Sequence, residues 1–156
     1  MSTLWSGRFD QAPDAAAFEW GSSFSFDRRL FEDDVTGSLA WARALAGAGV
    51  LTPDEAAAIQ ATLQDILDQG RANPASVEGP DEDVHSYVER LLVARLGDTG
   101  KRLHTGRSRN EQVSLDLRLY LRRRIPALQS AVAQIIAALT RQAKSAGDAL
   151  MPSYTH

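Results

Sequence analysis

The sequence predicts an all-α fold. Apolar residues recur at spacings of three and four along most of the chain, which is the period of an amphipathic helix. No sustained alternation of apolar and polar residues indicates a strand, and clusters of glycine and proline separate the periodic segments. We expect an amino-terminal helical domain over 1–111 and, over 112–156, the beginning of a domain of long bundled helices.

Three helices are predicted in the first part. The first places these residues on one face and ends at Gly47 or Gly49: Phe31, Val35, Leu39, Ala42 and Leu45. The second opens with a capping box, Thr52-Pro53-Asp54-Glu55, and should end at Gly70. The third begins among Asp81, Glu82 and Asp83, where negative charge favours a helix start. It runs to about Leu96, before Gly97 and Gly100.

A much longer helix is predicted from about Gln112 to Lys144, with a kink or break at Pro126. Its apolar residues follow a heptad-like spacing, typical of helices packed in bundles. We call these residues the apolar seam: Leu121, Ile125, Leu128, Val132, Ile135 and Leu139. The shorter helices before it cannot cover so long a helix. Partners are therefore expected from further along the chain or from other subunits, and the sequence reads as interrupted after His156.

Composition limits the classes of function. The 156 residues are 44% hydrophobic, carry a formal net charge of -3 and include no cysteine. A packed core is therefore expected, whereas a general nucleic-acid or membrane-surface binder, a disulfide scaffold and a cysteine nucleophile are not. The polar start lacks the features of a signal peptide, which predicts a soluble, cytoplasmic protein.

The segment LHTGRSRNEQ, 103–112, concentrates hydrogen-bond donors directly before the long helix. Arg107, Ser108, Arg109 and Asn110 lie where a helix N-terminus presents free N–H groups, which suits an anion such as a carboxylate. We call 103–112 the clamp segment. The alternative interpretation is a solvated basic loop, because lysine and arginine are usually exposed.

Two histidines suggest acid–base chemistry, each with an ordinary alternative. His85 and Glu89 are one helical turn apart, so that the carboxylate would orient the imidazole, although surface pairs of this kind are common. His156 follows Tyr154-Thr155 and would be a proton donor or acceptor near neutral pH, although a lone histidine usually has no role. The histidines have no metal-ligand spacing, so no metal is expected. Ser23, between aromatic residues, could bind a polar ligand or cap a helix.

In this order, these pieces resemble the argininosuccinate lyase family of the fumarase/aspartase superfamily. The matching segments are Leu4–Phe9, Ser23–Asp27, Glu82–Glu89, Leu103–Val113 and Met151–His156. The resemblance covers the whole chain, and the Thr-Gly-Arg-Ser-Arg-Asn run is its most specific part. It implies an amino-terminal lyase domain followed by the first helix of a fumarase/aspartase-type bundle.

The resemblance also implies a function: elimination of fumarate from argininosuccinate, giving L-arginine in the last step of its biosynthesis, without a cofactor. Matched by motif, Ser23, Ser108, Arg109, Asn110 and Thr155 would bind the substrate. His156 would be the catalytic acid–base residue. His85 and Arg107 would support the site.

The family's catalytic serine loop and the remainder of its central helical domain have no counterpart in these residues, and Ser153 stands where the family usually has glycine. The family assembles each active site from three subunits of a homotetramer. The resemblance therefore implies an amino-terminal portion that is inactive alone. The alternative is a non-catalytic oligomerisation or anion-binding module of the same family.

Overall fold

The computed structural model describes residues 14–150 and 152–153, and every regular element within them is helical. The all-α prediction is therefore confirmed for these residues. The chain divides into two compact units, with the boundary between Arg118 and Leu119. The domain assignment made from the sequence, 1–111 and 112–156, stays a prediction.

Seven α-helices occur in the described residues, in this order: α1 (Ala15–Gly21), α2 (Phe24–Asp27), α3 (Phe31–Gly47), α4 (Pro53–Ala72), α5 (Val84–Leu96), α6 (Asp98–Lys101) and α7 (Arg109–Ala146). Short 3-10 turns lie at Arg28–Leu30, Pro74–Ser76 and Arg102–His104. Helices α3, α4 and α5 pack on one another and build the core of the first unit.

The core consists largely of the residues that the helical period places inward. From α3 and α4 it includes Phe31, Val35, Ala42, Leu45, Ile59, Leu63, Ile66 and Leu67. Helix α5 adds Val84, Val88 and Leu92. Aromatic packing continues this core to α2, because Phe24 stacks on Tyr87 with ring centroids 5.1 Å apart. The predicted inner face of α3 is therefore confirmed for Phe31, Val35, Ala42 and Leu45, and Leu39 packs partly buried against the core.

Helix α4 begins as predicted and ends later. Thr52 accepts a hydrogen bond from the Glu55 backbone N–H, and the Glu55 side chain accepts from the Thr52 N–H, which completes the capping box. The prediction that the helix ends at Gly70 is wrong, since α4 continues to Ala72. A Cβ atom at Gly70 would lie 2.2 Å from Phe31 Cε1. This glycine therefore allows α3 and α4 to approach closely.

Helix α5 has both of its ends defined by the sequence. The Asp83 side chain accepts a hydrogen bond of 2.7 Å from the Ser86 N–H and caps the first turn. Gly97, with φ of +57°, ends the helix in a conformation that favours glycine. Gly100 lies in α6, where a Cβ atom would come within 3.1 Å of the Leu92 backbone.

Helix α7 continues through Pro126, so the break considered at this residue does not occur. Proline removes one backbone donor, and the carbonyl group that loses its partner lies among exposed residues, where water can replace the bond. All six residues of the apolar seam are exposed in this chain. No helix within the described ranges is both long enough and apolar enough to cross a membrane.

Candidate active site

The clamp segment connects α6 to α7 and is anchored by one buried apolar residue, Leu103. Gly106 has a φ of +67°, which favours glycine at this turn. The Ser108 hydroxyl accepts a hydrogen bond of 3.3 Å from the Asn110 N–H, and the Ser108 N–H donates to Glu111 Oε1 at 3.1 Å. Ser108 and Glu111 thus cap α7 reciprocally, and the Asn110 side chain remains exposed.

Arg109 is held by two groups from the first turn of α5. Its Nε lies 3.3 Å from Asp83 Oδ2, and its Nη2 donates to Ser86 Oγ at 3.2 Å. Its third nitrogen, Nη1, is buried and has no hydrogen-bond partner among the described residues. A buried donor without a partner is costly, and a charged donor more so, so Nη1 is well suited to an anionic ligand.

Ser23 lies at the same end of α5. Its backbone N–H donates to the Glu82 carbonyl at 2.8 Å, and its hydroxyl donates to Asp27 Oδ2 at 2.6 Å. The other Asp27 oxygen accepts from the Val84 N–H at 3.1 Å. Burial raises the pKa of Asp27, and the hydrogen bond from Ser23 opposes that rise. The structure therefore brings Ser23 and Arg109 to neighbouring residues of one helix start.

His85 is buried, contrary to its interpretation as half of a surface pair. Its Nδ1 lies 2.7 Å from Asp34 Oδ1 of α3 and 3.4 Å from Asp116 Oδ2 of α7. Asp34 therefore provides the nearest carboxylate to this nitrogen, whereas the sequence pointed to Glu89. Gln112 Nε2 lies 3.4 Å from the same Asp34 oxygen. We call Asp34, His85, Gln112 and Asp116 the buried polar network.

Arg107 connects the clamp segment to α3. Its Nη1 donates to Ser38 Oγ at 2.9 Å. Burial lowers the pKa of the Arg107 guanidinium, while the charges of Asp34 and Asp116 oppose this change. Gly37 makes room for the contact, because a Cβ atom there would lie 3.1 Å from Leu115 Cδ2 and 3.7 Å from Arg107 Nη2.

A small pocket adjoins the network. Its polar lining includes Ser38, His85, Glu89, His104 and Arg107. Asp34 and Gln112 of the network line it as well, so the pocket combines two carboxyl groups, of Asp34 and Glu89, with several hydrogen-bond donors. The pocket lies within the first unit and places both supporting residues suggested by the sequence, His85 and Arg107, at one site.

Sequence reasoning missed Asp34, Ser38, Gln112 and Asp116. A signal for them exists: Asp34 and Ser38 are four residues apart, as are Gln112 and Asp116, which places each pair on one helical face. Nothing in the sequence shows that these two faces meet. Conversely, Thr155, His156 and the segment Leu4–Phe9 lie outside the described residues, so their assignments stay predictions.

Asp34, His85 and Asp116 are also the one set of three in the described residues whose potential metal-ligand atoms lie within 4.8 Å of one another. Three ligands are fewer than the four of a structural zinc site or the six of magnesium. The 2.7 Å separation of His85 Nδ1 and Asp34 Oδ1 is an ordinary hydrogen-bond length. We therefore assign Asp34 and His85 as a hydrogen-bonded pair with Asp116 beside it, and the expectation of no metal stays a prediction.

Comparison with known proteins agrees with this helical architecture. Residues 7–156 match the protein family described as "Lyase". The chain therefore belongs to this lyase family, and its all-α fold is of the fumarase/aspartase type.

Two curated relatives carry a more specific name. The argininosuccinate lyase of Desulforudis audaxviator is 46% identical over 156 residues, which is 100% of this chain and 34% of that protein. The argininosuccinate lyase of Ruminiclostridium cellulolyticum is 43% identical over 153 residues, which is 98% of this chain and 33% of that protein. The chain thus spans about a third of the length of these relatives.

Proposed function

We propose that this chain contributes substrate-binding residues to an argininosuccinate lyase, which eliminates fumarate from argininosuccinate to release L-arginine in the last step of arginine biosynthesis. One observation carries the proposal: the unpartnered, buried Nη1 of Arg109 lies in a clamp segment rich in donors. The names of the two relatives support the same substrate.

The elimination needs donors aimed at a growing negative charge. A base removes the proton beside a substrate carboxylate, and electron density moves into that carboxylate before the carbon–nitrogen bond breaks. Preorganised donors stabilise such a charge more effectively than water does. We assign this role to Arg109 and Asn110, with Ser108 and Ser23 completing the contacts. Thr155 would bind a substrate carboxylate, and His156 would transfer a proton.

The complete site requires further residues, and we propose that a cytoplasmic homotetramer supplies them. The apolar seam supports assembly, because contiguous exposed apolar faces are characteristic of protein interfaces. A long helix with heptad-like apolar spacing is well suited to a bundle of helices from several subunits. In such an assembly the clamp segment would bind the substrate at the start of a bundle helix.

A chimera tests the proposal. Residues 1–156 replace the aligned third of the Desulforudis audaxviator enzyme, and fumarate release from argininosuccinate is measured. We expect a clearly active chimera. Asn110→Ala should lower kcat/KM about 10²–10³-fold, the usual loss when one donor to a developing anion is removed. Asn73→Ala is the matched control, because Asn73 is the other asparagine of the sequence and lies at the end of α4.

The outcomes discriminate between functions. An active chimera that is insensitive to Asn110→Ala would contradict the role of the clamp segment. A folded, correctly assembled chimera without activity would favour the second candidate, a non-catalytic oligomerisation or anion-binding module. The exposed apolar seam is the observation that keeps this second candidate in consideration.

A further inference from the structure

The buried polar network contains two carboxyl groups for one imidazole hydrogen. Asp34 and Asp116 both face Nδ1 of His85, and each is almost completely buried. A single N–H can satisfy one of them well, and the shorter distance, 2.7 Å against 3.4 Å, assigns it to Asp34. Asp34 also receives the amide hydrogen of Gln112 at 3.4 Å.

Asp116 has no comparable hydrogen-bond donor. Neither of its oxygens has a hydrogen-bond partner in the described residues, although the side chain is fully buried. A buried carboxylate without donors is strongly unfavourable, whereas a protonated carboxyl group can donate to a neighbouring acceptor. Asp34 is the candidate acceptor, because both carboxyl groups face His85 Nδ1 and an oxygen of each lies within 4.8 Å of the other.

We propose that Asp116 retains its carboxyl proton in the folded chain at neutral pH and donates it to Asp34, so that one proton links α7 to α3. Asp116 lies on α7, one turn after Gln112 and two turns after Ser108, the residue that precedes the helix. The linkage therefore fixes the first turns of α7, from which the clamp segment presents Arg109 and Asn110. Asp116 is a positioning residue in this scheme.

The charges around Asp116 agree with this assignment. Asp33 and Asp34 of α3 are negative neighbours, His85 of α5 lies at 3.4 Å, and Arg107 of the clamp segment is the opposing positive charge. Burial and the Asp34 charge raise the pKa of Asp116 to about 8, and Arg107 does not reverse the effect. The ordinary value is 3.8, so the proton remains bound throughout the neutral range.

The raised pKa of Asp116 determines how the stability of the folded chain depends on pH. Because the pKa is higher in the folded chain, the folded state binds this proton more tightly than the unfolded state does. The contribution of Asp116 to stability is therefore greatest below pH 3.8, the ordinary value, and is lost as the pH rises towards about 8. An asparagine at 116 retains an N–H donor for Asp34 and has no proton to lose. Asp116→Asn should remove this part of the pH dependence.

The first experiment follows the carboxyl carbons of the aspartate-labelled 156-residue chain by NMR during a pH titration. We expect one aspartate to titrate near pH 8 and to be missing from the spectrum of Asp116→Asn. If every aspartate titrates near its ordinary value, the proposal is overturned. The measurement uses the unmodified chain for its main result and does not depend on catalytic activity.

Thermal unfolding of variants gives a second, opposite-sign test. At pH 8, Asp116→Asn should raise Tm by several degrees. Asp34→Asn should lower it, because this change replaces one carboxylate acceptor oxygen with an amide donor. If His85 were charged and Asp116 were its ionised partner, both substitutions would lower Tm. A fall in Tm for Asp116→Asn at pH 8 would therefore overturn the proposal even if Asp34→Asn does not fold.

The consequence for catalysis rests on the proposed function and has its own measurement. In the chimera, KM for argininosuccinate should rise several-fold above pH 8 as Asp116 ionises and the clamp segment loses its support. Asp116→Asn should suppress that rise in KM while leaving the pH dependence of kcat in place. An unchanged rise in KM would contradict the positioning role, whereas an inactive chimera would contradict the proposed function and leave the NMR result to decide the protonation.

Discussion

The two units of the chain use the same helical period with opposite results. In the first unit, Leu63 is 0% exposed, because α3 and α5 cover the inner face of α4. In the second unit, Leu128 and Leu139 recur with similar spacing but are 64% and 65% exposed. The period therefore specifies which face of a helix is apolar. Whether that face is buried depends on what else packs against it.

The two units also differ in their buried polar groups. The first unit contains buried Asp34, His85 and Asp116, each from a different helix. In the second unit, no described residue is buried. The buried polar groups of the described residues therefore belong to the first unit, while the apolar seam of the second unit is exposed.

The largest expected effect on the free energy of unfolding comes from comparing a leucine-to-alanine substitution in each unit. Leu63→Ala should lower the free energy of unfolding by about 2–5 kcal/mol, because it leaves a cavity in the core. Leu128→Ala should change it by less than about 0.5 kcal/mol in dilute solution, since the side chain is already exposed. Urea unfolding followed by circular dichroism measures both values.

The same pair also tests whether the apolar seam is covered in an assembly. If copies of the chain associate through it, Leu128→Ala should become destabilising as protein concentration rises, and Leu63→Ala should keep its cost at every concentration. Sedimentation equilibrium would report the association directly. A large cost for Leu128→Ala at the lowest concentration would contradict the exposed state of the seam.

A smaller effect is expected where the two helices of the core approach most closely. Gly70→Ala should destabilise the first unit by about 1–3 kcal/mol, because the added methyl group collides with the Phe31 ring. Gly47→Ala is the control: no atom lies within 4 Å of its Cβ position, and alanine is the better helix former. Equal Tm values for the two variants would mean that Phe31 moves aside freely.

The smallest expected effect on stability comes from replacing one threonine in each unit by alanine. Thr52→Ala should cost about 0.5–2 kcal/mol, because the hydroxyl group caps α4. Thr140→Ala should be neutral or slightly stabilising, since the Thr140 hydroxyl bonds back to the Ile136 carbonyl inside a helix, where alanine is preferred. Thermal unfolding monitored at two wavelengths of circular dichroism would measure both. A larger cost for Thr140→Ala would indicate a further role for that residue in the second unit.

Much of the fold was predictable from local patterns. The capping box at Thr52, the end of α5 near Leu96 and the inner faces of α3 and α4 all depend on residues close in sequence. The end of α4 was not predictable, because a glycine at a helix end and a glycine at a helix contact look identical in sequence. Only the position of Phe31 distinguishes the two uses of Gly70.

The candidate site likewise contains parts that the sequence predicted and parts that it did not. The clamp segment was recognisable because its donors are consecutive, and Arg109 indeed lies against the first turn of α5. The carboxylate that contacts His85 was not recognisable from the sequence. The sequence offers Glu89 one turn away, whereas the nearest partner, Asp34, is 51 residues distant. His85 is buried, so water cannot satisfy its ring nitrogen and a partner from another helix is needed.

By itself, the sequence determined the helical period, the helix caps and the order of the motifs, since these properties arise from neighbouring residues. The tertiary structure decided which apolar faces are covered, which glycines are contacts and which polar residues share a buried network. The physical reason is that burial and hydrogen bonding join groups far apart along the chain. The meeting of Asp34, His85 and Asp116 exists only after α3, α5 and α7 have packed together.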